Sequence, residues 1–213
     1  NKTSHKQRYT FAVERAADVQ ASQISFSEGK GSFELKHKQD SVYINLKVAG
    51  KHNIMNALAA ASCALALNID LITIQEGLAL FHGVKGRLQI KTAANGATII
   101  DDTYNANPAS LSAAVAHLVS LGADSWLVLG EMGELGTDSL NIHEQVGEQA
   151  KQQGVERLLT YGSLAEQACV SFGKNAQHYS DKQVLIADLI SNTTKSSNVL
   201  VKGSRAMKME ALF

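Results

Sequence analysis

Short apolar runs alternate with segments of helical length from Thr98 to Val201, and this alternation restricts the fold more than any other feature of the chain. Thr98–Asp102, Ser125–Leu129, Arg157–Thr160, Gln177–Tyr179 and Asn198–Val201 read as strands. Helices are expected over Pro108–Leu121, Ser139–Gln152, Ser163–Ser171 and Lys182–Ser191, with a further one after Arg205. Runs such as Trp126-Leu127-Val128-Leu129 leave no polar face, so the sheet they join must be covered on both sides. A chain that passes repeatedly from strand to helix to strand builds an α/β fold with a doubly wound, mostly parallel sheet. Leu88–Thr92 and Thr98–Asp102 flank Asn95-Gly96, a hairpin-turn signal.

The first part of the chain has a different texture. Tyr9–Val13, Val19–Ser27, Gly31–His37 and Val42–Val48 read as successive strands, the last with apolar residues on alternate positions. Gly50 breaks this pattern. An alanine-rich helix follows over Lys51–Leu67, and a second over Thr73–Phe81, where Thr73 and Glu76 have capping-box spacing. His82-Gly83-Val84-Lys85-Gly86 reads as a hinge. Two domains are therefore expected, residues 1–85 (β-rich, then helical) and residues 86–213 (doubly wound).

Lys plus Arg and Asp plus Glu each number 20, so the formal charge is zero. That argues against nucleic acid or an anionic membrane as the main partner. No membrane-length apolar run or signal peptide is present. Cys63 and Cys169 have no metal-like spacing and read as two buried thiols in a reducing cytoplasm. The chain opens on Asn1 and reads as a piece of something longer.

Polar residues collect where strands end. Ile99-Ile100 runs into Asp101-Asp102-Thr103-Tyr104-Asn105-Ala106-Asn107, and Pro108 then opens a helix with Asn107 as its N-cap. The carboxyl end of a strand beside a helix N-terminus is where α/β proteins bind nucleotides and small anions. Asp102 is placed to accept from ribose hydroxyls, whereas Asp101 points the other way; Asn105 and Asn107 either orient a ligand or build the turn. Asn53 and Asn56 share one face at the start of a helix, and a primary amide matches the edge of adenine. Capping that helix is the plainer role for Asn53. Arg87, after Gly86, has the planar fork that grips phosphate, or is a solvated surface arginine. Lys202-Gly203-Ser204-Arg205 offers two cations, a hydroxyl and free N–H groups to a carboxylate or phosphate. Leu129-Gly130-Glu131-Met132-Gly133-Glu134-Leu135-Gly136 is a glycine-spaced loop without the lysine of a phosphate loop. His143, on the next helix, reads as a packing histidine. No metal-ligand pattern is present.

Taken in order, Gly50-x-His52-Asn53-x-x-Asn56, Gly86-Arg87, Asp101-Asp102-x-Tyr104-Asn105-Ala106-Asn107-Pro108, Leu129-Gly130-Glu131-Met132-x-Glu134-Leu135-Gly136 with His143, and Lys202-Gly203-Ser204-Arg205 resemble the Mur ligases of peptidoglycan synthesis. Sister ligases usually carry a histidine where this chain has Asn105 or Asn107. The Asn-Ala-Asn-Pro and Lys-Gly-Ser-Arg versions resemble the branch that joins D-alanyl-D-alanine to UDP-N-acetylmuramoyl-tripeptide. The resemblance implies that residues 1–85 are the back of a central ATPase domain and 86–213 a C-terminal Rossmann-like domain. It implies ATP and Mg²⁺, with the phosphate loop and the metal-binding residues outside these 213. His52, Asn53, Asn56, Arg87, Asp102, Tyr104, Asn105 and Asn107 would hold ATP. Lys202 and Arg205 would act in catalysis, and Ser204, Glu131 and Glu134 would face substrate. A cytoplasmic monomer, inactive as this piece alone, is expected. The rival readings are a folylpolyglutamate- or cyanophycin-type ligase of the same superfamily, and a non-catalytic nucleotide-binding module.

Overall fold

The computed structural model describes residues 8–27, 29–48, 50–122 and 124–213. Two compact units divide the chain, Asn1–Gly83 and Val84–Phe213. In the first, β1 (Phe11–Val13), β2 (Val19–Ser27), β3 (Lys30–His37) and β4 (Asp40–Leu46) form one sheet in sequence order. β2, β3 and β4 are antiparallel, and β1 lies parallel to β2. Alternate strand residues point to one face: Val19 and Ala21, Phe33 and Leu35, Ile44 and Leu46. That face packs on Ile54, Leu58 and Ala61 of α1 (Lys51–Ala66) and Ile74 of α2 (Leu71–Ala79). The three- and four-residue spacing on α1 matches one helical face to one sheet face.

Two local expectations change here. Gly50, at φ 99°, is the N-cap of α1, so Asn53 lies within the first turn and is not the cap. α2 starts at Leu71 rather than Thr73, because the Asp70 carboxylate takes the cap. It accepts from the Thr73 backbone N–H at 2.9 Å and from the Thr73 hydroxyl at 3.0 Å, which pre-empts the Thr73/Glu76 box.

The second unit is built on six strands: β5 (Gln89–Thr92), β6 (Thr98–Asp102), β7 (Ser125–Gly130), β8 (Arg157–Tyr161), β9 (Ala176–Tyr179) and β10 (Asn198–Lys202). Their order across the sheet is β5-β6-β10-β7-β8-β9. β5 is antiparallel to β6, and every other pairing is parallel. The helices are α3 (Pro108–Ser120), α4 (Ser139–Gln152), α5 (Glu166–Phe172) and α6 (Lys182–Asn192). Leu111 and Leu118 of α3, Val146 of α4 and Phe172 of α5 cover the face that carries Ile100, Leu127, Leu129 and Leu200. Trp126, Val128, Val199 and Val201 point the other way, onto Leu185 of α6 with Met209 and Leu212. The chain moves outward through β7, β8 and β9 and returns to β10. A right-handed crossover in the reverse direction places α6 on the opposite face. The doubly wound sheet read from the apolar runs is therefore present, and β10, between β6 and β7, marks where the winding reverses.

Three further expectations are corrected. The final helix is absent: residues Arg205–Met207 and Met209–Leu212 form two 3₁₀ turns, separated by Lys208 at φ 47°. The helix expected from Ser163 begins at Glu166. Cys63 is exposed rather than buried, while Cys169 is partly buried and desolvation pushes its thiol pKa up. Among the described residues, no helix is long and apolar enough to cross a membrane.

Candidate functional site at the carboxyl edge of the second sheet

Adjacent strands place Asp102 and Lys202 opposite each other, since β6 and β10 are paired in register from Thr98↔Asn198 to Asp102↔Lys202. Strand alternation separates the two aspartates. Asp101 accepts from Lys91 Nζ at 2.7 Å and from the Thr103 hydroxyl at 2.7 Å. Asp102 turns to Lys202, whose Nζ donates to Asp102 Oδ2 at 2.5 Å and to the Asn105 carbonyl at 2.9 Å. Lys202 is only 2% exposed, whereas the Asp102 side chain keeps 12% of its surface. The Leu88 backbone N–H donates to Asp102 Oδ1 at 3.2 Å.

The segment leading into β5 folds over this pair. Gly86 adopts φ +73° and its carbonyl accepts from the Tyr104 N–H at 2.8 Å. A Cβ at Gly86 would lie 2.9 Å from the Tyr104 nitrogen, so only glycine fits this approach. The contact brings the Arg87 guanidinium to 4.5 Å from the centre of the Tyr104 ring. Tyr104 is 44% exposed and Arg87 is exposed, so a cation and an aromatic face are both presented beside Asp102.

Asn105 and Asn107 build the turn into α3. Asn107 Oδ1 accepts from the Ser110 N–H at 2.9 Å, and Ser110 Oγ accepts from the Asn107 N–H at 3.2 Å, a reciprocal cap. Asn105 Oδ1 accepts from the Ala106 N–H at 2.9 Å. Both residues are exposed.

On the other side of β10, the loop after β7 is fastened from three directions. The Glu131 carbonyl accepts from the Ser204 N–H at 2.7 Å, so that N–H is not free for a ligand as the sequence led us to expect. Glu131 Oε1 accepts from Ser163 Oγ and from the Leu164 N–H, which turns the carboxylate into the β8–α5 loop. Buried His143 accepts the Met132 N–H at Nε2 (3.0 Å) and donates from Nδ1 to the Ser139 carbonyl (2.7 Å), which fixes the neutral Nδ1–H tautomer. Glu134 stands exposed at φ 61°. Ser204 is buried, and Arg205 is exposed with its Nη1 2.9 Å from Glu210 Oε1. No group of three or more His, Cys, Asp or Glu is arranged to hold a metal among the described residues.

In the first unit, His52 and Asn56 are exposed and Asn53 is half-buried, all in the first two turns of α1.

Comparison with known proteins accounts for both units. Residues 86–205 match the family model described as Mur ligase, glutamate ligase domain, and residues 1–64 match that of the Mur ligase middle domain. The chain belongs to the Mur ligase family. Among its curated Mur ligase relatives, UDP-N-acetylmuramoyl-tripeptide–D-alanyl-D-alanine ligase of Escherichia coli is 37% identical, the match covering 91% of this chain and 43% of the relative. The Bacillus subtilis protein of the same name is 33% identical, with coverage of 97% and 46%. A crystal structure of MurF from Acinetobacter baumannii superposes with a TM-score of 0.83 at 33% identity, covering 94% of this chain and 45% of that one. The chain thus spans less than half the length of the Mur ligases it matches.

The structure brings Arg87, Asp102, Tyr104, Asn105 and Lys202 together on one side of β10, and Glu131, Ser204 and Arg205 on the other. His52, Asn53 and Asn56 belong to the other unit. Sequence reasoning named Gly86 beside Arg87 but not the positive φ by which it docks the arginine, and it did not find the Leu88 N–H or the Thr103 hydroxyl that orient the two aspartates. The Gly86-Arg87 pair was the one available signal; a backbone donor leaves none.

Proposed function

We propose that the protein carrying this chain is an ATP-dependent amide ligase that joins D-alanyl-D-alanine to UDP-N-acetylmuramoyl-tripeptide in the cytoplasm. The observation that carries this reading is the shelf at the winding reversal: Asp102, whose side chain keeps 12% of its surface, beside an exposed arginine whose guanidinium lies 4.5 Å from the centre of the Tyr104 ring. That donor set fits a nucleotide. A carboxylate accepts from ribose hydroxyls, and a guanidinium neutralises phosphate oxygens. Asn105 and Asn107, both exposed, flank the shelf. Mg²⁺, when bound, would neutralise phosphoryl charge; among the described residues no group of three or more His, Cys, Asp or Glu would hold it.

The chemistry is amide synthesis through a mixed anhydride. The tripeptide's terminal carboxylate oxygen attacks the γ-phosphorus, and the bond to ADP breaks. The amine of the dipeptide then attacks the acyl carbon, the C–O bond to phosphate breaks, and the nitrogen loses a proton. What this chain contributes is positioning and charge neutralisation. Arg87 and Asp102 hold the nucleotide; Ser204 and Arg205, after β10, and Glu134, on the loop after β7 that Glu131 braces, face the incoming dipeptide. These 213 residues contain no Gly-x-x-Gly-Lys-Ser/Thr loop, and on their own they are expected to ligate nothing.

Steady-state kinetics of the full-length enzyme test the division of labour. Asp102→Ala should raise the KM for ATP at least about tenfold, as loss of a charge-assisted hydrogen bond would. Arg205→Ala should raise the KM for D-alanyl-D-alanine and leave that for ATP near wild type. An unchanged dipeptide KM in the arginine variant would falsify the acceptor-side assignment. Ligation of glutamate in preference to the dipeptide would favour the folylpolyglutamate-type reading.

A further inference from the structure

We propose that Lys202 is a positioning residue for the nucleotide, acting through Asp102, and touches neither phosphate nor dipeptide. The inference rests on the nucleotide reading of the Asp102 shelf and sharpens it. A lysine after a late strand, followed by Gly-Ser-Arg, invites a substrate-binding role. The side chain is instead buried to 2% exposure, and its ammonium donates to two protein acceptors, Asp102 Oδ2 and the Asn105 carbonyl.

Those acceptors are the two ends of the turn that leaves β6. Lys202 therefore clamps the turn on which Tyr104 stands, between Asp102 and Asn105, and holds the Asp102 carboxylate in one rotamer while the Leu88 N–H holds its other oxygen. Lys202 also cancels a negative charge that would otherwise repel a polyphosphate. A buried ammonium without such partners would be strongly unfavourable, and so would the carboxylate left behind by its removal. Arg205, exposed three residues on, is left as the cation of this segment that a substrate can reach.

The test is a double-mutant cycle in the full-length enzyme, read by calorimetric titration with ADP, by the KM of each substrate and by melting temperature. K202M is expected to weaken ADP at least about tenfold and to raise the ATP KM in step, with the dipeptide KM unchanged within about twofold. In a D102N background, K202M is expected to weaken ADP no further, and the double variant, with no unpaired buried charge, to melt above K202M. That pair keeps the test decisive where K202M alone fails to fold. A raised dipeptide KM with unchanged ADP affinity would overturn the proposal in favour of an acceptor contact. Further weakening of ADP by K202M in the D102N background would overturn it in favour of a direct phosphate contact. A lowered melting temperature with unchanged ADP affinity would leave Lys202 a purely structural residue and also overturn it. Failure of the wild-type enzyme to bind ADP would remove the nucleotide reading itself, an outcome visible before any variant is made.

Discussion

The Arg87 guanidinium sits 4.5 Å from the centre of the Tyr104 ring because the backbone beneath them is closed by one hydrogen bond, Tyr104 N–H to the Gly86 carbonyl at 2.8 Å. Arg87 and Tyr104 are 17 residues apart; the antiparallel pairing of β5 with β6, Gln89 opposite Asp101, brings the two segments side by side, and this bond continues the contact beyond the strands. The stack holds the guanidinium plane without consuming its N–H donors, so the fork stays available to an anion.

Gly86→Ala should undo this. The backbone is left-handed at φ +73°, and the new Cβ would meet the Tyr104 nitrogen at 2.9 Å and the Thr103 hydroxyl at 3.0 Å. Strain of this kind is worth about 1–3 kcal/mol. Urea unfolding of the second unit should show that loss, and the ATP KM should rise although no group that contacts a ligand has been removed.

His143→Leu should loosen the loop after β7. The leucine fills similar space but leaves the Met132 N–H buried without an acceptor, which costs about 1–3 kcal/mol. Amide hydrogen exchange at Met132 should accelerate more than exchange in the β7 strand. Equal acceleration throughout the unit would mean that the histidine supports the whole core and not this loop.

Gly147→Ala pits helix propensity against packing. Alanine is favoured over glycine within a helix by about 1 kcal/mol. Against that, a Cβ on Gly147 of α4 would run into Ala168 of α5, 2.8 Å from its Cα and closer still to its carbonyl. Both atoms are backbone, so the helices must part, and overpacking costs about 1–3 kcal/mol. The variant should melt below wild type; a higher melting temperature would contradict the close approach of α4 and α5.

Asp70 should make the first unit sensitive to acid. The Thr73 backbone N–H, and then its hydroxyl, hold the Asp70 pKa below the ordinary 3.8. A carboxylate whose pKa falls on folding stabilises fully above its unfolded value and loses that contribution as pH drops through the lower, folded one. Asp70→Ala should therefore lower the melting temperature at neutral pH, and its difference from wild type should shrink in acid well below 3.8. A pH-independent difference would assign the effect to something other than the ionised cap.

Much of the second unit was legible because its signals are local. Trp126-Leu127-Val128-Leu129 announces a strand buried on both faces, and Asn107-Pro108 announces a helix start, whatever surrounds them. The expectations that failed were those in which a neighbour competes. Asp70 took the cap that Thr73 seemed suited to, and Lys208 entered the left-handed region and split the last helix into two turns. In the site, the opposite orientations of Asp101 and Asp102 followed from strand alternation. The commitment of Lys202 to Asp102, 100 residues away, left no mark at either position.

The sequence by itself determined the strand and helix periods, the doubly wound class of the second unit and the residue types available at its strand ends. Those depend on backbone propensity and on apolar spacing within a few residues. Strand order was decided only by the tertiary structure, which inserts β10 between β6 and β7 and so sets Lys202 against Asp102. The reason is physical: a side chain's role depends on which charges and donors lie within a few ångströms of it. Here those neighbours come from adjacent strands that lie 100 residues apart in the sequence.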